Sequence, residues 1–283
     1  MKRIPVTLRL LAAGYCTHSE YLTIRGGSFR SSRFPAGFAC IGHPELGPIL
    51  FDTGYSERFY TETKRFPYSL YARVTPVFFR PEESAASQLL KLGIEADEVR
   101  HIVLSHFHAD HLGGLRDFPN ATFHYLQKAY DAVKLRKGFA AVRAAFLPGL
   151  LPADFELRSR PFDEKQTVRL PDGYPFARGL DVFGDGSIIA VDLPGHADGQ
   201  IGLLVATESH DYLLCADAVW SSKAYRENRP PHPLAGLIMA NRSEFRDSFR
   251  RLRLLHEKFP QVRIVPSHCT EPWTSYVKDG VAL

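Results

Sequence analysis

Apolar and polar positions alternate in short runs over the first fifty residues. Val6, Leu8 and Leu10 alternate with Thr7 and Arg9, which predicts a strand with one buried face over 6–11. Further strands are expected at 21–24, 38–41 and 49–51, set apart by Gly26-Gly27, Pro35, Gly37 and Pro44. A helix is expected from Pro81-Glu82-Glu83 to Leu92, because Ala85, Leu89 and Leu92 share a face and Gly93 ends the run. His101 to Leu104 reads as a short buried strand. From 127 to 179 the pattern changes to two helices, 128–137 and around 139–146, and then a loop-rich stretch with five prolines from Pro148 to Pro175. We expect an insertion or lid there, within a single domain over 1–283. Strand patterns return at 180–183, 187–191, 201–206 and 212–215, with Gly184-Asp185-Gly186 as a hairpin-type turn. A long helix over 243–259, with Ser243 as its cap, precedes a last strand at 262–265. Strand blocks separated by helices predict an α/β fold of two sheets with helices outside.

Composition narrows the partners more than the fold. The chain is 45% apolar, so its 283 residues can bury a sizeable core. Its 35 basic and 31 acidic residues are spread without a like-charge block, so nucleic acid is not expected as a partner. Pro5, Thr7 and Arg9 interrupt the apolar run at the N-terminus, which reads as a strand rather than a signal peptide. No stretch approaches the roughly 20 apolar residues of a membrane span. The four cysteines, Cys16, Cys40, Cys215 and Cys269, lack paired spacing and read as reduced thiols of a cytoplasmic protein.

The run His106-Phe107-His108-Ala109-Asp110-His111 packs four potential metal ligands into six positions. A segment leaving a strand can aim His106 and His108 at one point, while Asp110 and His111 reach a second one close by. A divalent metal takes three or four nitrogen or oxygen ligands at roughly 2.0–2.2 Å. Imidazole and carboxylate without thiolate suit zinc, and also manganese, iron, cobalt or nickel. Three more candidates end strands: His196 in Leu193-Pro194-Gly195-His196, Asp217 in Leu214-Cys215-Ala216-Asp217, and His268 in Val265-Pro266-Ser267-His268. Ligands at successive strand ends converge on one mouth of a sheet. Asp52, in Phe51-Asp52-Thr53-Gly54, also ends a strand and could orient a ligand histidine from behind. The seven other histidines, including His18, His43, His124 and His232, have no ligand spacing.

Taken in order, Asp52-Thr53-Gly54, the HxHxDH run, Pro194-Gly195-His196, Asp217 and His268 resemble the metallo-β-lactamase superfamily over residues 50–268. The resemblance implies an αββα sandwich of two mixed β-sheets with helices on the outer faces. It implies one metal held by His106, His108 and His196, another held by Asp110, His111 and His268, and Asp217 bridging the two. The bridging aspartate is unlike the β-lactamases proper, and His108 is unlike the flavodiiron branch, which has glutamate there. Phe183-Gly184-Asp185-Gly186-Ser187 and Ser105-His106-Phe107-His108 are similar to the N-acyl homoserine lactonase group. Two positions depart from that group. Its Pro-Gly-His-Thr-x-Gly-His reads Pro194-Gly195-His196-Ala197-Asp198-Gly199-Gln200 here, and Trp220 stands where those lactonases carry a tyrosine.

The expected activity is hydrolysis of a lactone, ester or thioester, with a lactone such as an N-acyl homoserine lactone foremost. Two divalent cations, zinc first, would acidify a bridging water to give a hydroxide nucleophile, and Asp110 or Asp217 would carry its proton to the leaving group. Phe107 and Trp220 are the expected substrate-pocket residues, with Trp220 either a hydrogen-bond donor or a plain wall. Phe139, Val142, Phe146, Leu147, Leu150 and Leu151 either hold an acyl chain or pack the insertion onto the core. A thioesterase or phosphodiesterase of the same fold, and a metal-binding sensor without turnover, stand as alternatives. The expected partner is a small molecule, and a homodimer is left open.

Overall fold

A computed structural model describes residues 4–272. Twelve strands form two six-stranded sheets: β1 (Thr7–Ser19), β2 (Ser31–His43), β3 (Gly47–Phe51), β4 (Val77–Phe78), β5 (His101–Val103), β6 (Thr122–His124), β7 (Thr167–Arg169), β8 (Arg178–Asp181), β9 (Ile188–Asp192), β10 (Ile201–Ala206), β11 (Asp211–Ala216) and β12 (Val262–Pro266). The first sheet runs β4-β1-β2-β3-β5-β6 and the second β12-β11-β10-β9-β8-β7. Both are mixed: β3, β5 and β6 run parallel in one, and β11 and β12 in the other.

Side-chain alternation builds the layers. Leu8, Leu10, Ala39, Ile41, Ile49, Phe51 and Val103 of the first sheet meet Ile188, Ala190, Ile201, Leu203, Val205 and Leu214 of the second in one buried cluster. The opposite faces carry helices. On the second sheet, Leu204, Leu213 and Ile264 pack against Phe249, Leu252 and Leu255 of the helix Arg242–Lys258. Cys40, Leu50 and Ile102 of the first sheet pack with Leu89, Leu112, Phe146 and Leu150. The order is therefore helix, sheet, sheet, helix, as the resemblance implied.

A register shift in β1 between Ala12 and Tyr15 changes the side-chain parity. Leu8 and Leu10 point between the sheets, whereas Ala13 and then Cys16 join the outer cluster of the first sheet. This carries the last third of β1 over the end of the sandwich where the candidate ligands lie.

Several local expectations need correction. Residues 21–24 are not a strand: Glu20–Thr23 is a single helical turn, closed by Ile24 N–H donating to the Glu20 carbonyl at 3.0 Å. Asn241, not Ser243, caps the long helix, its side chain accepting from the backbone of Ser243 and Glu244 at 2.9 and 3.2 Å. The expected helix 128–137 is helical only at Gln127–Asp131. The strands β6 and β7 are three residues each and show too few alternations to be read beforehand. Phe146, Leu147 and Leu150 are fully buried core residues, while Phe139 is 62% exposed. No described helix is long and apolar enough to cross a membrane. All four cysteines are buried and free.

Candidate metal centre

Strand direction gathers the candidate residues. β3 and β5 are parallel, and so are β9, β11 and β12, since β10 runs antiparallel to both β9 and β11. Their C-terminal ends open at one edge of the sandwich. Asp52 follows β3, the HxHxDH run follows β5, His196 follows β9, Asp217 follows β11 and His268 follows β12. A hydrogen bond from Ile201 N–H to the Ser105 carbonyl, 3.1 Å, joins the two sheets at this edge. Two of the chain's turns leave their strands through left-handed backbone, at Asp52 (φ 61°) and at Ala216 (φ 48°), just before Asp217.

Two adjoining groups result. His106, His108 and His196 bring one ligand atom each within 4.8 Å of one another, and so do Asp110, His111, Asp217 and His268. All seven expected residues are therefore brought together. Asp217 faces both groups: its Oδ2 lies 3.2 Å from His196 Nε2 and 3.0 Å from His268 Nε2, and its Oδ1 3.5 Å from His111 Nε2. Asp110 Oδ2 lies 3.4 Å from His268 Nε2.

Outer contacts orient each ring. Asp52 is fully buried and accepts from Ser105 N–H at 2.8 Å, Ser105 Oγ at 2.7 Å and His111 Nδ1 at 2.7 Å. His268 Nδ1 is held by the Pro35 carbonyl at 2.6 Å, and Gly37 N–H donates to the Ser267 carbonyl at 3.1 Å. A Cβ at Gly37 would collide with that same oxygen, so only glycine lets β2 approach the His268 turn so closely. The His196 loop is pinned by the start of the long helix. Asn241 N–H donates to the Gly195 carbonyl at 3.0 Å, Ala240 N–H to the His196 carbonyl at 3.1 Å, and Ser248 Oγ to the Pro194 carbonyl at 2.7 Å. Gly195, at φ 120°, lies against the backbone of Phe245 where no side chain fits. Gln200 closes the loop from inside, donating to the Leu193 carbonyl at 2.9 Å.

The donor atoms fit cations. Nε2 of His106, Nε2 of His111 and Oδ1 of Asp217 are buried without a hydrogen-bond partner. Buried polar atoms seldom remain so, and a cation in each of the two groups would satisfy all three. His108 Nδ1 and His196 Nε2 face each other at 2.9 Å. Burial holds the His108 imidazole down to about 4 and His196 to about 3, and pushes His106 well below the usual histidine range. These three rings are therefore neutral at pH 7 and offer lone pairs. Burial alone would also depress His268 and His111, but carboxylates outweigh it. Asp217 and Asp110 raise His268 to about 9, and Asp52 and Asp110 raise His111 well above its usual value. Burial would raise Asp217, yet His268 and His196 keep its carboxyl well below the carboxylate range.

The two expected pocket residues fare differently. Trp220 borders a cavity of about 340 Å³ beside Asp110, Asp217 and His268. Its indole N–H is engaged with Asp217 Oδ2 at 3.2 Å, so it steadies the central carboxylate as well as forming a wall. Phe107 is buried in an aromatic cluster with Tyr125, Tyr130 and Phe155, and borders a second cavity of about 600 Å³. The wall beside Trp220 also includes Cys16, His18, Tyr55 and Tyr71, which sequence reasoning missed. The shift of parity in β1 that turns Cys16 inward carries no composition signal.

Comparison with known proteins bears on the family and the fold. The model of the metallo-beta-lactamase superfamily matches residues 43–268. The N-acyl homoserine lactonase AttM of Azorhizobium caulinodans is 29% identical over 257 residues, covering 89% of this chain and 88% of that protein. The probable metallo-hydrolase Rv2300c of Mycobacterium tuberculosis is 30% identical over 236 residues, 78% of this chain and 71% of that one. A mutant of B. thuringiensis AiiA with N-decanoyl-L-homoserine bound at its active site shares the fold, with a TM-score of 0.68 over 96% of both chains at 21% identity. The dizinc quorum-quenching lactonase AidC does so with a TM-score of 0.64 at 17% identity, over 96% of this chain and 90% of its own.

Proposed function

Since the chain belongs to the metallo-β-lactamase superfamily, we propose that it is a binuclear metal-dependent hydrolase of a lactone, ester or thioester, with a lactone foremost. The observation that carries the reading is the Asp217 carboxylate, set between the two ligand groups and within 3.5 Å of imidazole nitrogens from both. In this reading His106, His108 and His196 hold one cation, Asp110, His111 and His268 hold the other, and Asp217 touches both. The lactonase names among the relatives support a lactone as substrate.

Two divalent cations in these groups, zinc first by their imidazole and carboxylate donors, supply Lewis acidity and lower the pKa of water. The chain's own groups do the rest. Asp52 accepts the Nδ1 proton of His111 and so turns Nε2 toward the centre. Pro35 does the same for His268. Trp220 holds one oxygen of Asp217 and leaves the other directed at His111. In this reading Asp110 or Asp217 takes a proton from attacking water and returns it to a leaving alkoxide or thiolate. Within the expected insertion at 127–179, Ala129, Val133 and Phe139 stand on the wall of the larger cavity, whereas Phe146, Leu147 and Leu150 pack into the core and Thr167–Arg169 joins the second sheet.

The test is a metal count combined with turnover. Purified protein saturated with zinc should carry two equivalents per chain and hydrolyse at least one member of a lactone, ester, thioester and phosphodiester panel. Two equivalents without turnover would return the chain to a metal-binding sensor; one equivalent would remove the binuclear reading.

A further inference from the structure

The two cavities beside the centre share His108, His196, Arg143 and Ile238. Arg143 is the basic side chain that the two walls have in common. In the smaller cavity it is the sole lysine or arginine of the wall. In the larger one it is joined by Arg136, whose Nε is already spent on the Ala132 carbonyl at 2.6 Å, and by one acid, Asp198. Arg143 is exposed at the cavity wall, and among the described residues it has no ion-pair or hydrogen-bonded side-chain partner.

Its position is fixed by the chain. Arg143 ends the helix Gly138–Arg143, and two residues later the Ala145 carbonyl accepts the N–H of Ala109 at 3.0 Å. Ala109 lies between His108 and Asp110, so the helix end that carries Arg143 is tethered to the ligand run. A guanidinium presents five donors in a planar fork suited to carboxylate or phosphate oxygens. An N-acyl homoserine lactone carries no charge and offers such a group only neutral carbonyl oxygens, whereas a carboxylate or phosphate gives it a charge-assisted pair.

We propose that Arg143 receives an anionic group of the substrate, so that the molecule hydrolysed here carries a carboxylate or phosphate besides its scissile bond. The proposal rests on the hydrolase reading for the bond that is cut, and on the Arg143 geometry for the charge that is bound. The cavity pair gives such a substrate two compartments: its reacting group lies against the ligand histidines and its anion at the shared wall.

The experiment separates the two. Hexanoate and adipate match in chain length and differ by a second carboxylate. Titrated calorimetrically into the zinc-loaded protein, adipate should bind at least tenfold tighter than hexanoate, the gain of a charge-assisted pair. Arg143→Gln should bring the ratio to within about twofold, and Arg143→Lys should keep part of it as a point charge. A wild-type ratio near one, a ratio unchanged in Arg143→Gln, or no measurable adipate binding at millimolar concentration would overturn the proposal. Mono-4-nitrophenyl adipate and 4-nitrophenyl hexanoate then report turnover. If fully loaded protein hydrolyses neither, the hydrolase reading fails for esters, while the binding ratio still decides the role of Arg143.

Discussion

Asp52 offers the sharpest test of how the centre is held, because it is not itself a proposed ligand yet fixes the ring of one. Its carboxylate collects three hydrogen bonds of 2.7–2.8 Å, two from Ser105 and one from His111 Nδ1. Asp52→Asn keeps the size, and asparagine tolerates the left-handed backbone at φ 61°. The amide oxygen can still accept from Ser105 N–H. Its NH₂ then meets His111 Nδ1 as a second donor, so the ring is driven toward the tautomer with its proton on Nε2. That removes the lone pair aimed at Asp110 and Asp217. Losing one hydrogen bond to a charged acceptor costs about 1.5–3 kcal/mol, roughly a factor of 10–150. Changes behind a ligand histidine typically weaken metal binding by about 10–100-fold, the same range. Competition with a chromophoric zinc chelator should resolve two binding steps in the wild type. In Asp52→Asn the step assigned to Asp110, His111 and His268 should weaken by about tenfold or more, and the other by less, since Ser105 Oγ also approaches His106 Nδ1 at 2.9 Å. Two steps of wild-type affinity would refute the reasoning, as would selective loss of the step assigned to His106, His108 and His196.

Three further outcomes are expected. His108→Ala should lose metal and activity together; full metal content by elemental analysis would sink its assignment as a ligand. Gly37→Ala should lower the unfolding free energy by roughly 1–3 kcal/mol, since its Cβ overlaps the Ser267 carbonyl oxygen, and an unchanged denaturant midpoint would contradict that contact. His124 tests the fold away from the centre. Burial, with His101 and Arg160 nearby, lowers it from 6.5 to about 4, so the unfolded chain takes up a proton that the folded chain refuses. The stability this gives is full above pH 6.5 and is lost as pH falls toward 4. His124→Phe should flatten the stability profile in that window, and an equally steep profile in the variant would count against the shift.

The sandwich was legible because its long strands obey period two. Val6 to Leu10 alternates cleanly and is buried on the face the pattern assigns, while Ile201 to Ala206 reads as a strand because it is a short apolar run buried on both faces. Tyr21 to Ile24 misled because four apolar or β-favouring residues fit a strand and a helical turn equally well. What decides there is the Ile24-to-Glu20 hydrogen bond and the return of the chain through Gly26 and Gly27 toward β2. The three-residue strands β6 and β7 exist by pairing with β5 and β8, and pairing leaves no mark in a short local window.

The candidate centre was more legible than the fold around it, for a reason of topology. A residue that must leave a strand end and point at one shared mouth is tied to the apolar run before it, and all seven candidates follow such runs: His106 and His108 after Ile102 to Leu104, then Asp110 and His111, His196 after Ile188 to Val191, Asp217 after Leu213 to Ala216, and His268 after Ile264 to Pro266. The pocket has no such tie. Arg143 comes to the wall by way of a helix end and the backbone hydrogen bond from Ala109 N–H to the Ala145 carbonyl, 36 residues apart, which no spacing rule encodes. Trp220 shows the same limit from the other side. Its place three residues after Asp217 was read correctly, but whether its indole N–H faces a substrate or the Asp217 carboxylate depends on a rotamer. Sequence therefore reports the groups that strand ends deliver, and the groups that discriminate among substrates must be read from how helices and loops close over them.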